Sequence, residues 1–211
     1  MEALPTDSAA GTREQQRPSV DPPGFPSAPR GPLAGALRDY LDIFVQNAVT
    51  EPAPAKGPVP DDPYRRMVDI KGYSYFMNAS QVGICRMEPN AWCRGAEPLA
   101  HEFAIALLLE HGRIPEPENP ARAWIEPAVE EAADCRIGGI AVCLAGHIAQ
   151  LGWSATAHVR GAGSVDAGRL SVLAGLNVRI EDELHNPFIA RGFSLAGRDH
   201  RLCFGSRSAT G

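Results

Sequence analysis

The 211-residue sequence has few of the features that mark nucleic-acid-binding or membrane-spanning proteins. Its formal net charge is -5, with 20 Lys and Arg against 25 Asp and Glu, and no run of basic residues forms a stripe. No stretch comes near 18 consecutive apolar residues, the length that suggests a membrane span. We therefore expect neither a nucleic-acid nor a membrane partner.

Export signals are also missing from the sequence. The first residues, MEALPTDSAAGTREQQ, contain neither a basic segment nor an apolar core. The one pair of adjacent arginines, Arg65 and Arg66, is soon followed by Asp69 and Lys71 and does not resemble a twin-arginine signal. A cytoplasmic location is the expectation.

The cysteines are too far apart for the usual metal-binding spacings. The five are separated by 8, 42, 8 and 60 positions, so no C-x-x-C pair exists; they are Cys85, Cys93, Cys135, Cys143 and Cys203. In a reducing compartment such cysteines are free thiols. We therefore predict no metal site and no iron–sulfur site built from this chain.

The first 57 residues divide into a tail, a helix and a linker. Residues 1–31 are predicted to be a disordered tail, because they are polar and rich in proline and cannot bury enough apolar surface. Residues 32–57 are predicted to contain an amphipathic helix, with apolar residues at helical spacing from Leu33 to Ala48, and the first part of the extended linker EPAPAKGPVPDDP, which runs from residue 51 to residue 63.

Residues 58–196 are predicted to form the folded domain. Helices are expected in RRMVDIKGYSYFMNAS, GGIAVCLAGHIAQLGW and GSVDAGRLSVLAGL, and strands in QVGICRM, SATAHVR and two pieces on either side of Asn186-Pro187. The apolar run EPLAHEFAIALLLEHG is a core helix or a core strand, and Trp124 is a candidate anchor in a proline-rich surface segment. This alternation indicates an α/β or α+β sandwich.

Three histidines stand near other possible ligands. His147 follows Cys143 by four residues on one predicted helix face, but the flanking Ala and Leu favour core packing over a metal site. His101-Glu102 and Glu110-His111 lie at the ends of the apolar run, where solvation of helix ends explains them better than an H-E-x-x-H site.

Two further groups of residues have the composition of possible sites. The carboxylates Glu126, Glu130, Glu131 and Asp134 precede a predicted helix and fit a structural role at its positive end. The loop Gly161-Ala162-Gly163-Ser164 looks like a small-residue anion loop, but without a third glycine or a Lys-Ser/Thr it is weak evidence for phosphate. A glycine-rich turn is the better interpretation.

Five segments occur in an order typical of one enzyme family: PVPDDPYRR, YFMNASQVGICRM, IAQLGWSATAH, LAGLNV and HNPFIARGFSLA. Over residues 58–196 they resemble the amino-terminal portion of cobalamin-dependent reductive dehalogenases, of the cytoplasmic, catabolic type. The resemblance implies a nitroreductase-like α/β scaffold that holds a corrinoid base-off, incomplete here at its C-terminal end. The family's proton-donating tyrosine, its basic partners and its two iron–sulfur Cys clusters have no counterpart here, so no catalytic, cofactor-binding or metal residue is assigned.

Residues 197–211 form an aberrant tail. GRDHRLCFGSRSATG has no apolar period, and its codons can be read one nucleotide later as V-V-T-T-D-F-A-L-A-P-D-R-P-P, which resembles the family's next strand. We hypothesise a frameshift at or just before Gly197, which sequencing of the gene would decide. Truncation at this point would leave a sheet edge unpaired.

Three functions remain open from the sequence. The preferred one is a truncated homologue of a dehalogenase that removes halide from an organohalide at reduced cobalt, with electrons from iron–sulfur clusters and a proton from the tyrosine. Such a fragment is expected to be inactive alone. The alternatives are a stand-alone cobalamin-binding or processing module, and a non-catalytic interaction remnant.

Overall fold

A computed structural model gives the fold and describes residues 8–22, 28–160, 163–186 and 200–204, with residues 8–10 and 200–204 described for backbone only. Its helices are α1 (Ser8–Gln16), α2 (Pro32–Gln46), α3 (Pro63–Phe76), α4 (Arg122–Ile125), α5 (Val129–Gln150) and α6 (Ala167–Leu173). Its strands are β1 (Val49–Thr50), β2 (Gln81–Arg86), β3 (Phe103–Leu108), β4 (Ala155–His158), β5 (Val178–Ile180), β6 (Glu183–His185) and β7 (His200–Phe204). Short 3-10 turns cover Pro89–Ala91 and Glu126–Ala128.

The main sheet has five strands in the order β1-β4-β7-β3-β2, and every neighbouring pair is antiparallel. Strands β5 and β6 form a separate two-stranded hairpin. The mixed helix-and-sheet architecture predicted from the sequence is confirmed. The sequence left α/β and α+β as alternatives. Because the strands pair antiparallel and α/β folds are built on parallel strands, the sheet is of the α+β type.

Strand β3 resolves the ambiguity of the long apolar run, which the sequence left as helix or strand. Its side chains alternate between two buried clusters: Ile105 and Leu107 pack with α5 residues, while Ala106 and Leu108 pack with Leu176 after α6. A strand covered on both faces has no polar side, so its sequence is continuously apolar. Helices α5 and α6 therefore lie on opposite faces of the sheet.

Helix α2 packs on α5 where the sequence has two adjacent glycines. A Cβ atom built on Gly138 would lie 3.0 Å from Leu41 Cδ1, and one on Gly139 would lie 3.2 Å from the Phe44 ring. A side chain at either glycine would therefore force Leu41 or Phe44 to move. The glycines thus set the close approach of the two helices.

Replacing Gly138 with leucine is expected to lower the free energy of unfolding by about 1–3 kcal/mol, since an added side chain must displace Leu41 or α2. The matched control is Gly146→Ala in the same helix, where an added Cβ meets nothing within 4 Å. That control should instead gain about 0.5–1 kcal/mol from helix propensity. Urea denaturation measures the free energy of unfolding of both variants. Equal changes in the two would contradict the close packing of α2 on α5 at Gly138.

The segment Arg122–Gln150 is long and apolar enough to cross a membrane by length and composition alone. More than half of its apolar window is buried inside the domain, however, in contact with the sheet and α2. Burial against protein explains this apolar character. Helix α5 ends at Gln150, and Gly152 follows with a φ of +82°, where the linker backbone at Ala55 approaches closely.

The amino-terminal region differs most from expectation. Where disorder was expected across residues 1–31, residues 11–22 lie against the domain; we call them the strap. Asn90 Nδ2 donates to the backbone oxygens of Glu14, Gln15 and Arg17, at 3.3, 2.6 and 3.0 Å, which caps the end of α1. The Arg94 N–H donates to the Val20 oxygen at 2.7 Å. Composition gave no sign of these contacts because the partners lie more than 70 positions away.

Two other segments depart from the expected pattern. The first of the two strands predicted around Asn186-Pro187 is divided into the hairpin β5–β6, which turns at Glu181 and Asp182, both with positive φ. The second predicted strand falls outside the described residues. Pro187 and the residues after it up to 199 lie outside the described residues. Trp124 is 56% exposed and therefore does not anchor its segment.

Part of the tail lies within the sheet. Strand β7 sits between β3 and β4, with His200 opposite Leu107, and Arg201 opposite Ala106 on one side and His158 on the other. The five described tail residues thus join the two halves of the sheet. The hypothesis of a frameshift near Gly197 stays a prediction.

Candidate functional site

Cys143 and His147 lie on the outer side of α5. Cys143 is exposed, so the expectation of core packing is wrong for this residue. The His147 ring stacks on Tyr73, with centroids 4.7 Å apart and an interplanar angle of 4°. Burial, and to a lesser degree the nearby Cys143, raises the pKa of Tyr73. Among the described residues no group of three or more His, Cys, Asp or Glu could hold a metal ion.

The other two candidate histidines flank a strand and not a helix. His101 precedes β3 and its Nε2 lies 3.2 Å from Ser154 Oγ, while His111 follows the strand. Burial lowers the pKa of both imidazoles, and at His111 the charges of Glu130 and Asp134 oppose that shift. The end-of-helix interpretation is therefore corrected: these histidines are half-buried at the two ends of a core strand.

This burial predicts a loss of stability in mild acid. A histidine whose pKa is lower in the folded state is protonated more readily when unfolded, so stability is complete above the unfolded pKa of about 6.5 and falls as the pH drops below it. Urea denaturation gives the free energy of unfolding at pH 7.5 and at pH 5.5. The difference between the two values should be smaller in the His101→Asn, His111→Asn double variant than in the unmodified chain. An unchanged difference would contradict this assignment.

Each carboxylate of the acidic group has an arginine partner. Asp134 accepts from Arg160 at 2.5 Å, and Glu130 lies 3.7 Å from the same guanidinium. Glu131 pairs with Arg38 of α2, and Glu126 pairs with Arg122. The prediction that all four precede the helix is wrong, because Glu130, Glu131 and Asp134 lie within the first two turns of α5. Their ion pairs tie α5 to its neighbours, so the role is structural.

The glycine loop is only partly described, because Gly161 and Ala162 lie outside the described residues. Ser164 Oγ is 3.3 Å from Nδ1 of the buried His158, whose ring meets Trp92 edge-on at 6.0 Å. Asp166 follows and caps α6 by accepting from the Arg169 N–H at 3.0 Å. A carboxylate at this position disfavours a phosphate there. His158 and Trp92 had no recognisable spacing in the sequence, and only the fold brings them together.

A second buried polar group joins α6, the hairpin and the strap. The Arg169 side chain is fully buried, at 0% exposure, and Glu14 of the strap is 2% exposed. Glu14 Oε1 accepts from Arg179 Nε at 2.6 Å, and Glu14 Oε2 lies 3.8 Å from Arg169 Nε. Arg169 also donates to the backbone oxygens of Asn90 and Pro18. Sequence analysis missed this group, because a single arginine in a short helix looks like a surface residue.

A cavity of about 510 Å³ lies beside this group. It is lined by residues of the strap, α6 and the hairpin: Arg17, Val20, Asp166, Gly168, Arg179, Asp182, Glu183 and Leu184. Arg17 pairs with Asp182 at 2.7 Å, and that hydrogen bond lowers the pKa of Asp182 while raising the pKa of Arg17. The cavity is therefore a polar one with mixed charge.

The charged lining does not suit a corrinoid. A macrocycle with broad apolar faces needs a mostly apolar cleft with a few polar groups that fix its orientation. Five of the eight residues around this cavity are charged. The described residues at this cavity therefore do not make a corrinoid pocket.

Solved structures of reductive dehalogenases are similar to this chain. The structure of N-terminally tagged catabolic reductive dehalogenase NpRdhA matches with a TM-score of 0.76 and 32% identity, over 90% of this chain and 26% of that one. A structure described as suggesting a mechanism for B12-dependent dehalogenation matches with a TM-score of 0.75, as does the complex with 3-bromo-4-hydroxybenzoic acid, at the same identity and coverage. No protein-family model and no curated protein matches. The resemblance predicted from the sequence is confirmed, and the chain spans about a quarter of the length of these enzymes.

Proposed function

We propose that this chain, the structural counterpart of about a quarter of a catabolic reductive dehalogenase, is a framework portion of a B12-dependent enzyme that removes halide from an organohalide. The observation that carries the proposal is a likeness of 32% identity and TM-score 0.76 over 90% of the chain. The complex of NpRdhA with 3-bromo-4-hydroxybenzoic acid supports an aromatic substrate. A nitroreductase-like scaffold for the complete fold is part of the proposal.

Within this enzyme the chain's own residues would support the fold and would not perform the chemistry. A corrinoid supplies the reduced cobalt at which the carbon–halogen bond breaks. The cysteine spacings of 8, 42, 8 and 60 do not suit iron–sulfur clusters, and the charged cavity does not suit a corrinoid. We therefore expect the 211 residues alone to release no halide.

An exposed face on α3 supports contact with further polypeptide. Tyr64, Val68 and Tyr75 lie at helical spacing on one side of α3, and all three are exposed. Phe76, at the end of the helix, is 80% exposed. Scattered apolar residues are ordinary on a surface, but a row of large ones marks a contact region. In the proposed enzyme this face of α3 would be covered by the remainder of the fold.

Bromide release from 3-bromo-4-hydroxybenzoic acid tests the proposal. The chain alone, with cobalamin and a chemical reductant, should release no more bromide than cobalamin without protein. A chimera in which the chain replaces the matching quarter of NpRdhA should release bromide. A chimera that folds and retains cobalamin but has lost release would contradict the proposed role, as would turnover by the chain alone.

A further inference from the structure

We propose that Cys143 and His147, on the outer side of α5, form a binding site for a soft metal cation of the copper(I) type. The proposal goes beyond the dehalogenase framework and does not depend on it. The sequence favoured core packing of these two residues over a metal site. In the structure, however, Cys143 is exposed and His147 is only half-buried, so a cation in solution can reach both side chains.

The spacing of the two residues brings their side chains together. His147 follows Cys143 by four positions within α5, so their Cβ atoms lie about 5–6 Å apart on one side of the helix. Helical side chains lean toward the start of the helix, so the imidazole of His147 leans over the turn that carries Cys143. Gly146 has no side chain to stand in the way, and a Cβ built there would meet nothing within 4 Å. The thiol and the imidazole can therefore hold one cation between them.

Tyr73 of α3 fixes the position of the imidazole. The rings of Tyr73 and His147 are parallel to within 4°, and their centroids are 4.7 Å apart. Burial, and to a lesser degree the charge that Cys143 can carry, raises the pKa of Tyr73, so the thiol lies near this stacked pair. A ligand whose orientation is already fixed loses little freedom when a metal binds. Tyr73 is therefore a positioning residue of the proposed site.

The donor atoms of the site determine which metal it suits. Among the described residues, none forms a hydrogen bond with Cys143 Sγ or with a ring nitrogen of His147, so both donors are available. No group of three or more His, Cys, Asp or Glu suited to a metal exists in that part of the chain, whereas zinc needs three or four protein ligands. Copper(I) prefers sulfur, accepts imidazole and is stable with only two ligands. Two donors, one sulfur and one nitrogen, therefore favour copper(I).

Binding of copper(I) at this site needs no oxidant or reductant. The S–H bond of Cys143 breaks, a bond between sulfur and copper forms, and the proton passes to solvent. The neutral imidazole of His147 donates a lone pair from one ring nitrogen. The charge of the thiolate cancels that of the cation, so the half-buried imidazole does not lie beside a net charge.

Competition for copper(I) between the full, reduced chain and the chelator bicinchoninate, without oxygen, tests the proposal. The unmodified chain should bind one equivalent tightly, and Cys143→Ser should lose that equivalent. His147→Gln should weaken it by at least about tenfold, since even the loss of a partner that supports a metal ligand costs 10–100-fold. Cys135→Ser is the matched control, because Cys135 lies in the same helix but has Gly139 four positions later. This control should keep the tight site, and equal affinity in His147→Gln and the unmodified chain would overturn the proposal.

Two further measurements separate a coordinated imidazole from a merely structural one. Tyr73→Phe keeps the stacked ring and should bind copper(I) as the unmodified chain does, whereas Tyr73→Ala should bind it several-fold more weakly. Equal affinities in these two variants would overturn the positioning role. The ring signals of His147 in nuclear magnetic resonance should shift with one equivalent of copper(I) in the unmodified chain and stay in place in Cys143→Ser. Unshifted signals in the unmodified chain would overturn the proposal, even if Tyr73→Ala does not fold.

Discussion

Replacing Arg169 with methionine is expected to lower the free energy of unfolding by about 3–5 kcal/mol, the usual cost of removing one partner of a buried ion pair. Methionine fills a similar volume, but Glu14 then keeps Arg179 as its one close cationic partner, and the Asn90 and Pro18 backbone oxygens lose a donor. Urea denaturation followed by circular dichroism measures the loss.

The control for this change is Arg86→Met. Arg86 lies 2.7 Å from Glu102, but the two side chains are 70% and 41% exposed. An exposed pair of this kind contributes about 0–1 kcal/mol. Equal losses of stability in Arg169→Met and Arg86→Met would mean that the buried ion pair of Arg169 with Glu14 does not stabilise the contact between α6 and the strap.

Truncating Leu144 to alanine should cost about 2–5 kcal/mol, because it opens a cavity between α5 and the sheet. Leu144 has 0% exposure and belongs to the cluster that contains Ile105 and Leu107 of β3. Val68→Ala on the exposed side of α3 is the control and should change stability by no more than about 0.5 kcal/mol. Thermal and urea denaturation check both variants, and comparable losses would mean that the α5–sheet contact is not the core.

The elements that the sequence predicts well are those determined by residues close together along the chain. Helix α2 shows apolar residues at helical spacing and β2 is a short apolar run, so both were predicted near their observed bounds. The end of α5 was predicted as well, but its start was placed at residue 138 and not at Val129, because its first turns carry Glu130, Glu131 and Asp134. Strand β3 was ambiguous because its periodicity disappears when both faces are buried. Only the layers on either side, α5 and α6, make it a strand.

Elements fixed by distant partners could not be predicted. The strap is polar and rich in proline, and its order depends on Asn90, Arg169 and Arg179, which are more than 70 positions away. The buried arginine group has no spacing signature for the same reason. The family resemblance, by contrast, was recognisable from five motifs in order. It assigned no site residues, because the family's known site residues have no counterpart in this chain.

Titration of the purified chain with cobalamin, followed by visible absorption, tests the central claim most directly. The proposal is that this chain is a framework portion of a reductive dehalogenase fold and that the residues described by the structure do not make a corrinoid pocket. It predicts a folded chain, by circular dichroism, with no saturable absorption shift. A saturable shift near one equivalent, from loss of the lower cobalt ligand, would contradict the claim and favour a stand-alone cobalamin-binding module.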